Sequence, residues 1–215
     1  MDLDDKIEST VESVKNSSSL KKYWKIAVLV AVGLWAWSAY NGLVKAEVPA
    51  GTLWANVEAE YQSRADKVKV ITKIIENSAN FEKGTLTEVI EARSKASSIN
   101  LDANNLTPEA MANFEKAQGQ LTGALSRLMM VVERYPNLKT TDAFRDFQTQ
   151  YEGIENRISK ARRDYNSGVN YYNIKVRKFP TNLMARITGF SEKPLFKSSP
   201  GAEDAPTIGD MNFNK

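Results

Sequence analysis

One segment near the N-terminus constrains this chain more than any other feature. Residues 26–44 read IAVLVAVGLWAWSAYNGLV, a run of 19 residues without a charge that is bounded by Lys25 and Lys45. As a helix it would span about 28 Å, close to the roughly 30 Å hydrocarbon thickness of a bilayer. We therefore predict a single transmembrane anchor at 26–44. Its principal membrane-contacting residues are Ile26, Leu29, Val32, Leu34, Trp35, Trp37 and Tyr40.

Aromatic residues stand at both ends of this segment. Tyr23 and Trp24 precede it, and Tyr40 lies toward its other end, as expected for amphipathic rings that favour the two bilayer interfaces. Two alternatives remain open. The segment could be a buried helix of a soluble domain, or a cleaved signal peptide, for which Ala36-Trp37-Ser38 is a poor small-x-small cleavage site.

The charges that flank the anchor predict its orientation. Four lysines lie between residues 15 and 25, whereas Lys45 is the only cation in the 19 residues that follow the anchor. Because cationic flanks are retained in the cytoplasm, we expect residues 1–25 to form a cytoplasmic tail. The rest of the chain is then periplasmic or extracytoplasmic, held at the bacterial inner (cytoplasmic) membrane by a single pass.

Two absent residue types exclude whole classes of chemistry. The 215 residues include no Cys and no His, so this chain alone cannot form a disulfide, a CxxC redox site, a Ser-His-Asp triad or an HExxH zinc site. The 29 basic and 26 acidic residues give a net charge of +3, which offers little reason to expect nucleic acid as a partner. We predict that the protein is not an enzyme and holds no cofactor or metal.

Beyond the anchor, apolar residues recur at the three-four spacing that is typical of amphipathic helices. This spacing predicts a helix at about residues 53–80 and a shorter one at about 82–99. A third helix begins after Thr107, which has the features of an N-cap, and ends at Tyr135 because Pro136 follows.

The longest predicted helix follows Asp142, its expected cap. From Phe144 to Tyr172 the apolar positions alternate in steps of three and four residues. Such a 3.5-residue repeat is the seam of a coiled coil or of a bundle helix. A last short helix is predicted at residues 182–188.

The predicted fold class is therefore all-α: an N-terminal transmembrane helix followed by an antiparallel bundle of about four long helices at residues 53–190. Pro49 and Gly51 predict a linker or kink at residues 45–52. Residues 191–215 are rich in Ser, Pro, Gly and Asp toward their end, and we expect a disordered C-terminal tail there.

Several stretches of the bundle, taken in order, resemble one protein family. They are WANVE and RAD, then TLTEVIEARSKA, then AQGQLTGALSRLMMVVERYPNL, and finally YEGIENRISKARRDYNSGVNYYN and ARITGFSEKPLF. This pattern is similar to the LemA family over roughly residues 39–207. The resemblance implies an anchored helical bundle of the bacterial envelope without a known enzymatic activity. The sequence VPAG at residues 48–51 departs from the charged helical stretch that is usual in the family.

Two groups of residues are candidate sites. Polar residues of the bundle could line an acidic or phosphate-binding groove, or could form interhelical ion pairs that fix the register of the helices. This group consists of Glu91, Arg93, Arg127, Glu152, Glu155, Arg157 and Arg162. Cations beside apolar residues after the longest helix suit contact with lipid headgroups, or could pack under the bundle as a C-terminal staple. This second group consists of Arg177, Lys178, Phe179, Leu183, Arg186 and Phe190.

The anchor, the rod-like helices and the missing residue types predict a non-enzymatic, membrane-anchored scaffold or interaction protein of the cell envelope. We expect it to self-assemble at the membrane as a homo-oligomer and to contact membrane lipids and another membrane protein. An alternative role, as an adaptor or regulator of a membrane protease or envelope-stress complex, rests on the gene context of the LemA family alone.

Overall fold

A computed structural model describes residues 18–77, 81–103 and 106–197, with side chains described from Tyr23 onward. Over these residues the chain forms six helices and no strand, which confirms the all-α fold class. The helices are α1 (Ser18–Glu76), α2 (Lys83–Ser98), α3 (Pro108–Val132), α4 (Pro136–Lys139), α5 (Asp142–Arg177) and α6 (Thr181–Thr188). The expectations for residues 1–17 and 198–215 lie outside the described residues.

Residues 45–52 belong to α1, with Pro49 inside the helix, so the prediction of a linker there is wrong, while the alternative of a kink stays a prediction. A proline in a helix interior costs about 3 kcal/mol. The side chains of Ala46, Ala50 and Trp54 are buried along one face of the same turns. Because burying one large apolar side chain contributes about 1.5–3 kcal/mol, packing around Trp54 offsets the cost of the proline.

The chain divides into two compact units. Within the described part of the chain, the first comprises residues 18–45 and 175–191, and the second comprises the residues between 46 and 174 together with 192–197. The second unit therefore contains the helical bundle, whereas the first contains the apolar part of α1 together with α6.

Side-chain contacts between α1 and α5 define their relative direction in the bundle. Trp54, early in α1, lies 5.5 Å from Tyr165, measured between ring centroids. Arg64, later in α1, lies 3.0 Å from Glu155, earlier in α5. As residue numbers rise along α1 they fall along α5, so the two helices are antiparallel.

The same reasoning orders α2 and α3. Arg127 pairs with Glu88 at 2.7 Å, and the Gln118 amide donates to the carbonyl of Ala96 at 3.4 Å. These two helices are also antiparallel, and the four long helices form the antiparallel bundle that the sequence predicts.

Two clusters of buried side chains fill the bundle. The first is largely aliphatic; it comprises Val68, Ile71, Ile75, Leu86, Val89, Ala96, Leu121, Ala124, Leu125, Leu128, Val132, Leu138, Phe144 and Phe147. The second is rich in aromatic rings; it comprises Ala50, Trp54, Val57, Tyr61, Leu106, Met111, Phe114, Ile154, Ile158, Tyr165, Val169 and Phe196. The three-four spacing of the sequence places the helical members of both sets on the inner faces of the helices, whereas Leu106 and Phe196 join the second cluster from outside the helices.

A threonine hydroxyl caps the N-terminus of both α3 and α5, but only the cap of α3 is the residue that the sequence predicts. The Thr107 hydroxyl accepts the backbone N–H of Ala110 at 3.1 Å, as predicted. Asp142 is not the cap of α5, because it is already the first helical residue. Instead the hydroxyl of Thr141 accepts the backbone N–H of Phe144 at 3.3 Å, which satisfies one of the free donors of the first turn.

Residues 191–197 form an extended segment along α5, which we call the C-terminal strap. The Asn166 amide donates to the Phe196 carbonyl at 3.0 Å and accepts its N–H at 2.9 Å. Asn173 makes the same pair of bonds with Lys193, both at 2.9 Å. The prediction of disorder is wrong for the strap, because these amides satisfy its backbone and the buried Phe196 ring joins the aromatic cluster.

The first unit exposes an apolar helical surface. One helix among the described residues is long and apolar enough to cross a membrane, with a mean hydropathy of 1.5 over its most apolar stretch, of which only 6% is buried. A core helix of a soluble protein would be mostly buried. The seven residues predicted as membrane contacts are exposed or half-buried here, as a lipid-facing segment requires.

The last helix, α6, ends at a glycine that turns the chain back. Gly189 has a φ of 81°, a left-handed conformation that a side chain would strain. The next residue, Phe190, donates its N–H to the Ala185 carbonyl at 3.0 Å. Its ring packs edge-on against Tyr40 of α1, with 5.9 Å between ring centroids. The residue that follows α6 therefore contacts the apolar segment near its C-terminal end.

Candidate functional site

A buried arginine forms the polar centre of the bundle. The side chain of Arg64 is 2% exposed and lies between α1, α3 and α5. Its guanidinium donates to the Thr122 hydroxyl and to the Glu155 carboxylate, both at 3.0 Å, and also to the side-chain oxygen of Gln118. Its guanidinium carbon lies 5.0 Å from the centre of the Tyr61 ring, close enough for a cation–π contact.

A groove of about 540 Å³ opens beside this cluster. Its lining includes the cations Arg64, Lys116, Arg162 and Lys197 and the carboxylates Glu115 and Glu155. The Arg162 guanidinium donates to Glu115 at 3.1 Å and to the Lys197 carbonyl at 3.0 Å. Because both arginines of the groove are paired within the protein, the arrangement joins α1, α3, α5 and the strap to one another.

In the structure, the residues of the predicted polar group make separate contacts and do not form one site. Five of its members bridge parts of the fold, through the ion pairs Arg64–Glu155, Arg127–Glu88, Arg157–Glu60 and Arg162–Glu115 and through the bond from the Arg93 Nε to the Ala65 carbonyl at 2.8 Å. Glu91 and Glu152 lie exposed on their helices. The geometry favours ion pairs that fix helix register over a single ligand groove.

Arg64, the centre of the cluster, was not among the candidates from the sequence. The signal that could have found it is its position, three residues after Tyr61 and four before Val68, on the apolar face of α1. A charged side chain in an apolar stripe is buried only where partners satisfy most of its donors. At Arg64 the two terminal nitrogens have partners, whereas Nε is buried without one.

Burial changes the acidity of several tyrosines around this centre. It raises the pKa of Tyr165 and of Tyr151 above the ordinary value of 10.0. Burial, with a smaller contribution from Glu47, raises the pKa of Tyr172 to about 12. Since the folded protein holds these phenols neutral, their contribution to stability is complete below pH 10 and is lost as the pH rises above it.

We therefore expect alkaline pH to destabilise the bundle. Between pH 10 and about pH 12 the unfolded chain releases phenolic protons that the folded chain retains, so the free energy of unfolding should fall. The midpoint of guanidinium unfolding, followed across this range, measures the effect. In Tyr165→Phe the fall should be shallower, because one titrating phenol is removed. A midpoint that stays constant or rises would contradict the expectation.

The second predicted group lies mostly on the surface of the first unit. Phe179 and Leu183 are exposed, and Arg177, Lys178 and Arg186 are exposed beside them. Phe190 is half-buried against Tyr40. Of this group, only Phe190 packs in the manner of the staple that the sequence left open.

Among the described residues, no group of three or more Asp or Glu side chains is placed to hold a metal ion. The polar side chains around Arg64 and Arg162 bind one another and the backbone. These hydrogen bonds and ion pairs hold the helices and the strap in register.

Comparison with known proteins adds a family and several relatives. The sequence model of the LemA family matches residues 53–209. Magnetosome protein MamQ 2 of Paramagnetospirillum magneticum is 39% identical over 99 residues, which cover 46% of this chain and 36% of that protein. Magnetosome protein MamQ of Magnetospirillum gryphiswaldense is 34% identical over the same shares.

A further relative, Protein LemA of Metamycoplasma hominis, is 28% identical over 141 residues, 66% of this chain and 60% of that protein. The chain thus spans 36% of the length of the magnetosome relatives and 60% of that LemA protein. Together with the exposed apolar segment of α1, these similarities indicate a membrane-associated helical protein.

Proposed function

The chain belongs to the LemA family, and on this premise we propose that it is a non-enzymatic, membrane-anchored scaffold of the bacterial cell envelope that assembles with copies of itself. The observation that carries the proposal is the exposed apolar surface of α1 from Ile26 to Tyr40, within the uncharged run. In water, so large an apolar surface would be costly at roughly 25 cal/mol per Å². Inserted in a bilayer, it tethers the bundle.

The lysines before the anchor support an orientation with the N-terminus in the cytoplasm and the bundle outside the inner membrane. A tethered bundle of this kind is confined to two dimensions. Confinement raises the effective concentration of each copy, so weak lateral contacts become sufficient for assembly.

The outer surface of α3 supports lateral contact between copies. Gly119 and Gly123 are exposed, and a Cβ built at either position would meet nothing within 4 Å. Met130, on the same helix, is 71% exposed. Small residues followed by an adaptable apolar side chain allow a second helix to approach closely.

Cross-linking at single cysteines tests self-assembly, because the chain has no cysteine of its own. We expect Met130→Cys, treated in membranes with a short bis-maleimide, to yield dimers and larger species. A matched control places cysteine at Thr149, which is exposed on α5, and should give several-fold less product. Monomer alone at both positions would overturn self-assembly. Capture of a membrane protease in place of a second copy would favour the adaptor role.

A further inference from the structure

Three apolar side chains near α6 lie open on the surface of the first unit. Phe179 is 74% exposed, Leu183 is 48% exposed and Ile187 is 81% exposed. They recur every four residues, and Leu183 and Ile187 therefore share one face of α6. We call these three residues the α6 patch. Ala185 is buried on another face of this short helix, and a group of exposed apolar side chains on the opposite face is typical of a surface that contacts lipid or another protein.

The position of α6 along the apolar segment indicates what that environment is. The turn at Gly189 places the Phe190 ring against Tyr40. Tyr40 precedes Val44, the last residue of the uncharged run, by four residues, which is about 6 Å along a helix. Amphipathic helices that lie on membranes bury their apolar face about 5–10 Å into the boundary between headgroups and acyl chains. If residues 26–44 span the bilayer, α6 lies at that depth.

The charges around the patch fit the same location. Lys178 and Arg186 are exposed on either side of Leu183, and Lys45 follows the uncharged run directly. Cations beside large apolar side chains hold a segment at the headgroup level, where anionic lipids attract them.

We propose that the α6 patch inserts into the headgroup region of the bilayer that holds residues 26–44, while Lys178 and Arg186 contact anionic headgroups. The patch belongs to the same compact unit as the apolar segment, and the Tyr40–Phe190 contact joins the two. The protein therefore has a second membrane contact, which fixes the rotation and tilt of the anchor. This inference rests on the proposed insertion of residues 26–44.

The test uses the full-length protein in vesicles of phosphatidylcholine, with or without an equimolar share of phosphatidylglycerol. An environment-sensitive fluorophore is attached at Ile187→Cys, and quenching by lipids that carry a spin label near the headgroup is measured. Leu29→Cys reports on the anchor, with a quencher deep in the acyl chains, and Thr149→Cys, exposed on α5 outside the proposed contact between copies, is the control on the bundle. We expect the label at 187 to be quenched at least about twofold more than the label at 149, and more strongly with the anionic lipid.

A second variant separates lipid contact from other causes of quenching. Phe179→Asn with Leu183→Asn changes only exposed side chains, so the fold should be retained. Because each apolar group returned to water costs part of the transfer free energy, the fraction of inserted patch should fall on the order of tenfold. The label at 187 should then be quenched no more than the label at 149.

The outcomes distinguish the two proposals. Quenching at 29 without quenching at 187 would overturn the α6 contact and leave the anchor intact. Absence of quenching at 29 would overturn the proposed function itself. A label at 187 that is shielded from water only at high protein concentration, and not quenched by lipid, would assign the patch to a second copy and overturn the lipid contact.

Discussion

Replacing Trp54 by alanine is expected to lower the free energy of unfolding of the bundle by about 3–5 kcal/mol, the usual cost of removing a buried aromatic side chain. Trp54 is fully buried, and its ring contacts Phe114 at 5.6 Å, Tyr165 at 5.5 Å and Phe196 at 5.9 Å between centroids. Removing it takes a shared packing partner from α3, α5 and the strap at once. Guanidinium unfolding of the full-length protein in detergent micelles, followed by far-ultraviolet circular dichroism, measures the loss.

The control for this variant is the same substitution at Trp37. That residue is exposed in the apolar part of α1, so Trp37→Ala should change the unfolding of the bundle by less than about 0.5 kcal/mol. Equal losses from the two variants would mean that Trp54 is not the centre of the aromatic cluster.

Replacing Arg64 by alanine is expected to cost about 3 kcal/mol, because the side chain is 2% exposed and its removal leaves the oxygen of the buried Gln118 without this donor and the half-buried Glu155 without its cation. The substitution removes the donors that bind Thr122 and Glu155 at 3.0 Å and the side chain of Gln118. Arg64→Met retains most of the packed stem without the donors, and so separates lost packing from lost hydrogen bonds.

Arg157 provides the matched comparison. It also joins α5 to α1, through a 2.9 Å pair with Glu60, but its side chain is 53% exposed. Because water screens exposed pairs, Arg157→Ala should cost less than about 1 kcal/mol. Similar midpoints of guanidinium unfolding for the two alanine variants would contradict the idea that burial makes the Arg64–Glu155 pair more stabilising than the Arg157–Glu60 pair.

The helices of the bundle could be predicted closely from the sequence, because a helix that packs on others must repeat its apolar residues every three or four positions. The segment expected at about 82–99 is observed as Lys83–Ser98. Thr107 caps α3 as predicted. The hydroxyl-to-amide bond that defines an N-cap involves residues three apart, so local sequence is sufficient to predict it.

Predictions that considered only neighbouring residues were wrong where residues distant in sequence stabilise the segment. Pro49 disfavours a helix locally, but Trp54 and its neighbours pack against the aromatic cluster and keep α1 continuous. The strap, taken for part of a disordered tail, is ordered because Asn166 and Asn173 bind its backbone from α5. Both compensating interactions join residues that are close only in the folded bundle.

By itself the sequence determined the helical class, the apolar run at residues 26–44 and the inner face of each bundle helix, since all three depend on the period and extent of apolar residues along the chain. Only the tertiary structure decided that Arg64 is buried and paired, that residues 191–197 are held along α5, and that Phe190 meets Tyr40. The physical reason is the range of the interactions: the period of apolar residues depends on neighbouring positions, whereas the partner of a buried charge or of a half-buried amide depends on how the helices pack.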